Sequence, residues 1–489
     1  EVTGSLDDSV LRTLDEKLTA LRNLAQRKQE VQDLIGAQGK LTEEVRAAIE
    51  RAATVTEVDD IYRPFRPKRK TRASVARERG LEDLAILLFA QEKSYTPSIE
   101  EQAARFVDPE REVPDVAAAL QGAMDIVAEE VSDNADYRRE LRRLTFDAGS
   151  LTSKAAKEED SVYAMYYDFS ESLRKLPGHR ILAIHRGEKE EFLKVALTVP
   201  EDVVLGYLYN RVLSGNRSPA EPYVREAVTD AYNRLIAPSI EREIRNDLFD
   251  TACEGAIKVF SDNLGHLLMQ PPLKGKVVLG FDPGYAHGCK LAVVDPTGKV
   301  LDTAVVYPTI KPRAEEAARV VKRLIRNYAV DVVAIGNGTA SRESEAFIAG
   351  LLKQIEKPCK YIIVSEAGAS IYSASQMAAE EFPDFDVMQR SAVSIARRLQ
   401  DPLAELVKID PKGIGIGQYQ HDMKQARLDE ALGGVVESCV NAVGVDINTA
   451  SYSLLSYIAG INQTAAKNIV KYREENGAFT TRGQVTKVP

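Results

Sequence analysis

The first half of the chain repeats its apolar residues at helical spacing. Charged residues separate these positions, the first of which are Leu11, Leu14, Leu18, Leu21 and Leu24. Spacings of three and four are the period of an amphipathic helix, and the same period dominates residues 81–268. We therefore predict a helical N-terminal half, interrupted by β-like stretches at residues 180–184 and 191–197.

The period changes after the proline pair Pro271-Pro272, where short apolar runs separated by turn residues replace the helical pattern. In chain order the runs predict strands at 277–281, 290–294 and 300–307, a helix at 315–327, a strand at 330–335, a helix at 342–355, a strand at 361–364 and a helix at 370–381. Three strands followed by alternating helices and strands is the order of a ribonuclease-H-like fold, a mixed sheet flanked by helices. The predicted fold class is thus multidomain and mainly α, with one α/β domain of this type.

Helical periodicity returns after residue 402. Helices predicted at 429–443, 452–458 and 463–475 leave a tight turn, Ala459-Gly460-Ile461-Asn462, between the last two. We predict four regions, which are a helical region at 1–272, the ribonuclease-H-like domain at 273–405, a linker at 406–430 and a helix-hairpin-helix region at 431–489. A second such motif begins at Phe479 and is incomplete at residue 489.

The turn at 459–462 is the best candidate for a nucleic-acid contact. A glycine-containing hairpin and the helix that follows it can present backbone N–H groups to a phosphate, which carries no sequence readout. The predicted contacts are Gly460, Ile461, Asn462, Lys467 and Lys471. The alternative is a plain helical hairpin without a ligand.

Composition adds a second candidate contact. The 489 residues suggest roughly three domains, and the formal net charge of −9 argues against a chain that coats nucleic acid over its whole surface. Residues 62–79 nevertheless hold eight basic residues against Glu78 alone, with Tyr62 and Phe65 among them. Phosphate contacts are predicted for five of them, Arg66, Lys68, Arg69, Lys70 and Arg72. The alternative is a solvated face that neutralises nearby acidic residues.

A ribonuclease-H-like domain raises the question of metal-dependent catalysis. Two-metal hydrolysis needs three or four converging carboxylates, but only Asp282 and Glu366 follow the appropriate strands, while Asn337 and Ser391 stand where acids would be needed. We predict no catalytic residue and no metal site, with Asp282 and Glu366 as vestigial candidates. The competing hypothesis is a divalent-metal nuclease or resolvase that uses a further acid such as Asp384 or Asp386. A third is a scaffold whose helical half docks a protein partner.

Other sequence features narrow the class of protein. The four cysteines form no CxxC pair, which favours a reducing cytoplasm over a zinc or disulfide framework. We expect no membrane helix, because no run of about 18 apolar residues exists. The chain starts at Glu1 without an initiator methionine, and we interpret it as a fragment.

Several long motifs resemble those of the bacterial transcription accessory proteins of the Tex family. They lie at residues 60–72, 280–284, 366–375, 396–408, 417–422 and 443–451. The resemblance covers the whole chain. It implies a helical region with a helix-turn-helix, a YqgF-type domain, paired helix-hairpin-helix motifs and a C-terminal OB-fold RNA-binding domain, the last of which is absent here together with the first stretch of the helical region.

The resemblance also implies a function. Members of this family work alongside RNA polymerase, and their YqgF-type domain has lost the acids of its nuclease relatives. We therefore expect a cytoplasmic, non-catalytic transcription protein without a cofactor, whose partners are RNA or DNA, single-stranded and bound without sequence specificity, and RNA polymerase.

Overall fold

The computed structural model describes residues 8–67, 70–157, 159–356, 358–415, 417–448, 450–477 and 479–488. The chain divides into two compact units, Glu1–Cys253 and Glu254–Pro489. No helix in the described ranges combines the length and the apolar character that a membrane span requires.

The first unit is mainly helical. Its helices are α1 Asp8–Ala37, α2 Glu43–Arg51, α3 Val55–Tyr62, α4 Arg72–Glu78, α5 Glu82–Ala90, α6 Ile99–Ala103, α7 Val116–Asp133, α8 Ala135–Ala148, α9 Gly178–Lys189, α10 Glu201–Val212, α11 Glu221–Asp230 and the start of α12 Ala237–Leu268. A π-helical segment, Ala231–Ile236, joins α11 to α12. Side chains fix several helix starts, since Thr42 and Thr54 each accept a backbone N–H from the first turn of α2 and α3.

A small antiparallel sheet accompanies these helices, with the strand order β2-β1-β3. Its strands are β1 Ser150–Ala155, β2 Asp168–Ser172 and β3 Leu193–Thr198. The strand predicted at 191–197 is confirmed as β3, but the one predicted at 180–184 is wrong, because these residues lie in α9. Residues 181–184 are all buried, and periodicity cannot distinguish a short apolar run in a buried helix from a buried strand.

A buried ionic network joins three helices of this unit. Arg138 on α8 is fully buried and donates to Asp60 on α3 at 2.8 Å and to Glu243 on α12 at 3.0 Å. Arg142, one turn further along α8, donates to the same two carboxylates at 2.9 Å and 2.6 Å. Each carboxylate therefore receives two guanidinium groups, which compensates the cost of removing these charges from water.

The second unit contains the predicted mixed sheet. Its elements are β4 Val278–Asp282, β5 Cys289–Val294, β6 Val300–Val306, α13 Lys311–Asn327, β7 Val332–Gly336, α14 Ser341–Leu352, β8 Lys360–Val364, α15 Ala369–Ser373, α16 Gln376–Glu381, α17 Val387–Gln400, α18 Pro402–Leu406, α19 Gln425–Val443, α20 Tyr452–Leu455 and α21 Gln463–Asn476. The strand order is β6-β5-β4-β7-β8, antiparallel from β6 to β4 and parallel from β4 to β8. The ribonuclease-H-like fold is thus confirmed.

Helices cover both faces of this sheet. On one face Phe281 and Ile335 belong to a core that includes Val321 of α13 and Ile348 of α14. On the other face Val278, Ala292 and Ala334 pack with Ala392, Ile395 and Ala396 of α17. The helix predicted at 370–381 is two helices, because the side chain of Ser375 accepts the backbone N–H of Ala378 and starts α16 afresh.

Gly280, in the central strand β4, permits the close approach of α17. A Cβ atom at this position would lie 2.1 Å from the carbonyl oxygen of Ala392 and 2.9 Å from the Cβ of Ala396. Because the nearest of these atoms is backbone, the strand or the helix would have to move. The absence of a side chain at position 280 therefore sets the distance between the sheet and α17.

We predict that Gly280→Ala lowers the free energy of unfolding by about 1–3 kcal/mol, the usual cost of overpacking a core. Chemical denaturation followed by circular dichroism measures it. Gly350→Ala on α14 is the matched control, since a Cβ there meets open space and alanine favours a helix by up to about 1 kcal/mol. A Gly280→Ala protein as stable as the Gly350→Ala protein would contradict the packing described.

We also predict that Arg138→Met destabilises the first unit by about 3–5 kcal/mol, because Asp60 and Glu243 each lose a buried partner. Thermal and urea unfolding measure the loss. Arg139→Met changes the neighbouring residue, whose guanidinium is largely exposed and pairs with Asp136 of its own helix at 2.8 Å. It should cost less than about 1 kcal/mol, and equal losses in the two variants would contradict the network.

Candidate functional site

The predicted hairpin lies between α20 and α21, immediately before the N-terminus of α21. Gly460 has a φ of +87° and is exposed, a backbone conformation that side-chain-bearing residues rarely adopt. Asn462 is the N-cap of α21, and its side-chain oxygen accepts the N–H of Ala465 at 2.8 Å. Helix geometry leaves other first-turn N–H groups without an intrahelical acceptor, and these are the groups that bind anions at helix N-termini.

Both predicted lysines lie on the solvent-exposed side of α21. Lys467 and Lys471 are exposed, while Ala466 and Ile469 on the same helix are buried. The ammonium of Lys467 lies 5.3 Å from the centre of the Tyr452 ring, and Lys471 is 3.9 Å from Glu475. Ile461, the remaining hairpin residue, is partly buried. The hairpin and its two lysines thus form one exposed, positively charged surface, which we call the hairpin surface.

Polar contacts hold the hairpin in place. Asn441 on α19 donates to the carbonyl of Tyr457 at 3.1 Å and accepts the N–H of Ala459 at 3.4 Å. Arg473 on α21 donates to the carbonyls of Ile447 and Ala450 at 2.9 Å and 2.7 Å, which joins the loop before α20 to α21. Contacts within the chain therefore hold the backbone of the hairpin surface in position.

The beginning of the second motif packs on the first. The rings of Phe479 and Tyr472 stack with centres 5.3 Å apart. Asn448 both accepts the N–H of Phe479 at 2.7 Å and donates to its carbonyl at 3.0 Å. The segment after α21 is thereby held against the loop that precedes α20.

The basic segment at residues 62–79 makes more contacts with acidic residues than the hairpin surface does. Arg66 lies 3.6 Å from Asp59 and over the ring of Tyr62 at 5.5 Å. Arg72 lines a small cleft together with Asp125 and Asp230. Lys70 is exposed, while Lys68 and Arg69 lie outside the described residues.

Three further arginines of the segment form ion pairs within the first unit. The pairs are Arg63 with Asp133, Arg77 with Glu129 and Arg79 with Glu112. These ion pairs favour the alternative in which much of the segment neutralises nearby acidic residues. Among the predicted phosphate contacts in the described part of the segment, the exposed cations are Arg66, Lys70 and Arg72.

The vestigial acids meet at one end of the mixed sheet. Asp282 is the last residue of β4 and Glu366 follows β8 by two residues. Because β4 and β8 each run parallel to β7, their carboxyl ends share one sheet edge. Burial raises the pKa of Asp282 despite a hydrogen bond from Ser391 on α17. Burial and the charge of Asp282 raise the pKa of Glu366.

Two glycines make room for Glu366. A Cβ atom at Gly338 would lie 1.6 Å from Oε1 of Glu366, and one at Gly336 would lie 2.5 Å from Oε2. The residue between them, Asn337, uses its side-chain oxygen to accept the backbone N–H of Glu366 at 3.1 Å. The Gly-Asn-Gly sequence after β7 therefore encloses the carboxylate of Glu366 instead of adding a third acid to it.

Two cations complete this group. Arg398 on α17 is 3% exposed and donates to the carbonyls of Ser365 and Ala367 at 2.9 Å and 2.7 Å. Lys290 on β5 is 8% exposed and lies directly opposite Asp282 across the β4–β5 pair. We call Asp282, Lys290, Glu366, Ser391 and Arg398 the sheet-end cluster.

The sheet-end cluster does not fit the pair of divalent ions that nucleases of this fold use. Within the described ranges, His, Cys, Asp and Glu side chains nowhere form a group of three or more that could hold a metal. Only two carboxylates converge, Asn337 is already hydrogen-bonded, and Lys290 and Arg398 repel a cation. The further acids considered from the sequence do not help, because Asp386 caps α17 through the N–H of Gln389 at 2.7 Å and Asp384 is exposed.

Comparison with known proteins agrees with this arrangement. Residues 276–400 match the Tex protein YqgF-like domain, residues 94–260 match the Tex central region-like family, and residues 440–489 match the helix-hairpin-helix motif. The uncharacterized protein YdcI of Bacillus subtilis is 49% identical over the whole chain, which covers 68% of that relative.

The chain belongs to the Tex family.

Two further relatives resemble the chain over its whole length. The transcriptional accessory protein Tex of Neisseria gonorrhoeae is 45% identical over the whole chain and 65% of its own length. The human S1 RNA-binding domain-containing protein 1 is 39% identical over the whole chain and half of its own length. The chain thus spans about two thirds of its bacterial Tex relatives and half of the human protein.

Sequence reasoning missed the residues that surround the vestigial acids. The sequence pattern places Lys290 at the start of a predicted strand and assigns no role to Gly336 or Gly338. The signal available was the lysine at the start of an otherwise apolar run, which is unusual because lysine is rarely buried without a partner. Arg398 gave no separate signal, since it follows another arginine, Arg397.

We predict that Glu366→Gln gains stability relative to the wild type as the pH rises. A carboxyl group whose pKa is raised in the folded state stabilises the fold below its unfolded pKa, and this contribution is lost as the pH rises through the folded value. Glutamine does not ionise. The difference in free energy of unfolding, measured with urea at about pH 4 and pH 8, should therefore move in favour of the variant.

Glu356→Gln is the matched control, because it makes the same substitution at an exposed residue of the same unit. The difference in free energy of unfolding between Glu366→Gln and the wild type could instead be independent of pH, or favour the wild type at high pH. Either result would show that burial does not disfavour the charge of Glu366.

Proposed function

We propose that this chain is a non-catalytic, nucleic-acid-binding part of a bacterial transcription accessory protein. Three findings support the proposal, which are the membership of the Tex family, the name of the Neisseria gonorrhoeae relative and the match of residues 440–489 to the helix-hairpin-helix motif. Transcription in bacteria takes place in the cytoplasm, and the proposal locates the protein there.

The observation that carries the proposal is the hairpin surface. Gly460 allows the chain to turn with its backbone exposed, Asn462 starts α21 immediately afterwards, and Lys467 adds an ammonium one turn into the helix. Backbone N–H groups at a helix start and a nearby lysine are a common way to hold a phosphate oxygen. The hairpin surface therefore suits the backbone of RNA or DNA.

Contacts of this kind define the type of ligand only coarsely. Phosphates carry no base identity, so binding through the hairpin surface is independent of sequence. We propose single-stranded RNA or DNA as the ligand and RNA polymerase as a protein partner during transcription. The exposed cations Arg66, Lys70 and Arg72 form a weaker second contact, because carboxylates already lie beside Arg66 and Arg72.

Binding should weaken steeply with salt, since neutralising phosphates releases counterions. We predict that Lys467→Ala reduces the slope of log K against log salt by roughly 0.7 on a single strand, the value for one lost phosphate contact. Fluorescence anisotropy with labelled single-stranded RNA and DNA oligonucleotides at several salt concentrations measures the slope.

Lys353→Ala is the control, because it removes the same charge from an exposed lysine at the end of α14, outside the hairpin surface. Its slope should match the wild type. Equal effects of the two substitutions, or binding that is insensitive to salt, would contradict the hairpin contact.

The alternative function is that of a divalent-metal nuclease. The same protein and oligonucleotide samples distinguish binding from cleavage. With Mg²⁺ or Mn²⁺ present, the labelled oligonucleotide should remain intact on a denaturing gel. Cleavage that disappears in Asp282→Asn would replace the binding proposal with catalysis at the sheet-end cluster.

A further inference from the structure

A cleft of about 280 Å³ opens into the first unit between α9, α12 and the small antiparallel sheet. Its apolar lining includes Leu151 on β1, Ile181 and Ile184 on α9 and Val195 on β3. Leu151 and Ile184 are 4% and 1% exposed, so the floor of the cleft belongs to the hydrophobic core of the unit. An apolar group that enters the cleft leaves water and contacts core side chains, which favours its binding.

One wall of the cleft is polar and is formed by α12. Glu241, Arg242 and Arg245 lie on this wall at helical spacing. Two of these side chains already have partners, because Arg245 pairs with Glu188 on α9 and Glu241 accepts the backbone N–H of Leu197 at 3.1 Å. Arg242 is exposed, and no side chain in the described ranges forms an ion pair or a hydrogen bond with its guanidinium. The cleft thus combines an apolar floor with a cation that is available to a ligand.

The size of the cleft and its open side limit what it can hold. Pockets for whole small molecules typically measure about 300–1,000 Å³ and enclose most of the ligand surface. This cleft lies just below that range, and Pro238, Arg242 and Asn246 of its lining are exposed. It therefore accommodates one group of a larger ligand, while the remainder of that ligand stays outside, beside Arg242.

The lining favours protein over nucleic acid as that larger ligand. A nucleobase carries N–H and carbonyl groups around its ring, and burying them against Leu151, Ile184 and Val195 without hydrogen-bond partners is unfavourable. A leucine or phenylalanine side chain has no such groups. The guanidinium of Arg242 favours an acidic neighbour of that side chain, since a guanidinium can bind a carboxylate through two parallel N–H···O bonds.

We propose that this cleft is a docking site for a peptide segment of a partner protein, in which a large apolar side chain fills the cleft and an adjacent carboxylate binds Arg242. The proposal goes beyond the binding of nucleic acid, and every residue on which it rests is in the first unit. It therefore succeeds or fails independently of the hairpin surface, which is in the second unit.

Fluorine NMR with two dipeptide probes tests the proposal on the whole chain. The first probe is N-acetyl-4-fluorophenylalanyl-aspartate amide, which presents an aromatic ring beside a carboxylate, and the second has asparagine in place of aspartate. The wild type should bind the aspartate probe about two- to fivefold more tightly than the asparagine probe, the range expected of an exposed ion pair. No binding of the aspartate probe, or equal affinities for the two probes, would overturn the proposal.

Arg242→Gln removes the guanidinium and should reduce the affinity for the aspartate probe to that for the asparagine probe. Arg105→Gln is the matched control, because Arg105 is an exposed arginine of the same unit outside the cleft. It should leave both affinities unchanged. An equal loss of affinity in the two variants would contradict a specific contact with Arg242.

Val195→Phe tests the apolar part of the site, because it places a larger side chain in the cleft and should weaken the binding of both probes. Circular dichroism verifies that this variant folds. A folded Val195→Phe protein with unchanged affinity for the probes would place them outside the cleft and overturn the proposal.

Methyl NMR of the isoleucine-labelled wild type keeps the proposal testable if Val195→Phe does not fold. The aspartate probe should shift the methyl signals of Ile181 and Ile184, which line the cleft. The signals of Ile348 and Ile395, which are in the core of the second unit, should not move. Shifts confined to isoleucines outside the cleft would contradict the docking site.

Adenosine 5′-monophosphate tests the choice of protein over nucleic acid. In excess it should leave the aspartate probe bound, because the apolar lining offers the base no hydrogen-bond partners. Displacement of the probe by the nucleotide would assign the cleft to nucleic acid and overturn the proposal of a peptide ligand.

Discussion

Two carboxylates, Asp282 and Glu366, lie where parallel strands of the mixed sheet end, and burial there makes their negative charges costly. The ribonuclease-H-like domain has to compensate these charges from within. It does so with Lys290 on the neighbouring strand and Arg398 on the helix that covers the sheet. The close contact between this helix and Gly280 brings Arg398 within reach of the loop after β8. Packing and charge balance at the sheet end are thus parts of one arrangement.

This arrangement separates the two surfaces that the sequence suggested for function. The sheet end is compact, is electrically balanced and has no room around Glu366, because Gly336 and Gly338 are already in contact with its carboxylate. The hairpin surface has the opposite character, since Gly460 and the two lysines of α21 are exposed and the cap leaves helix N–H groups for an anion. The first surface supports the fold, and the second suits a ligand.

The sequence was sufficient for features that depend on local patterns. The order of strands and helices in the mixed sheet and the strand-end position of Asp282 follow from periodicity and spacing. The sequence pattern does not predict features that depend on contacts between residues far apart in the chain. The pairing of Asp282 with Lys290 depends on strand register, the role of Gly336 depends on Glu366 thirty residues later, and Arg398 rather than Arg397 is deeply buried because of the rotation of α17. The pattern wrongly predicts a strand at residues 180–184, because a short buried apolar run has no readable period.

We propose that nucleic acid binds this chain at the hairpin surface and not at the sheet end. Photo-crosslinking of a single-stranded RNA that carries 4-thiouridine, with the crosslinked peptides identified by mass spectrometry, tests this claim most directly. We expect crosslinks within residues 456–471 that disappear when the salt concentration is raised. Crosslinks concentrated on residues 282–290 or 336–338 would contradict it, because they would place the ligand at the sheet-end cluster.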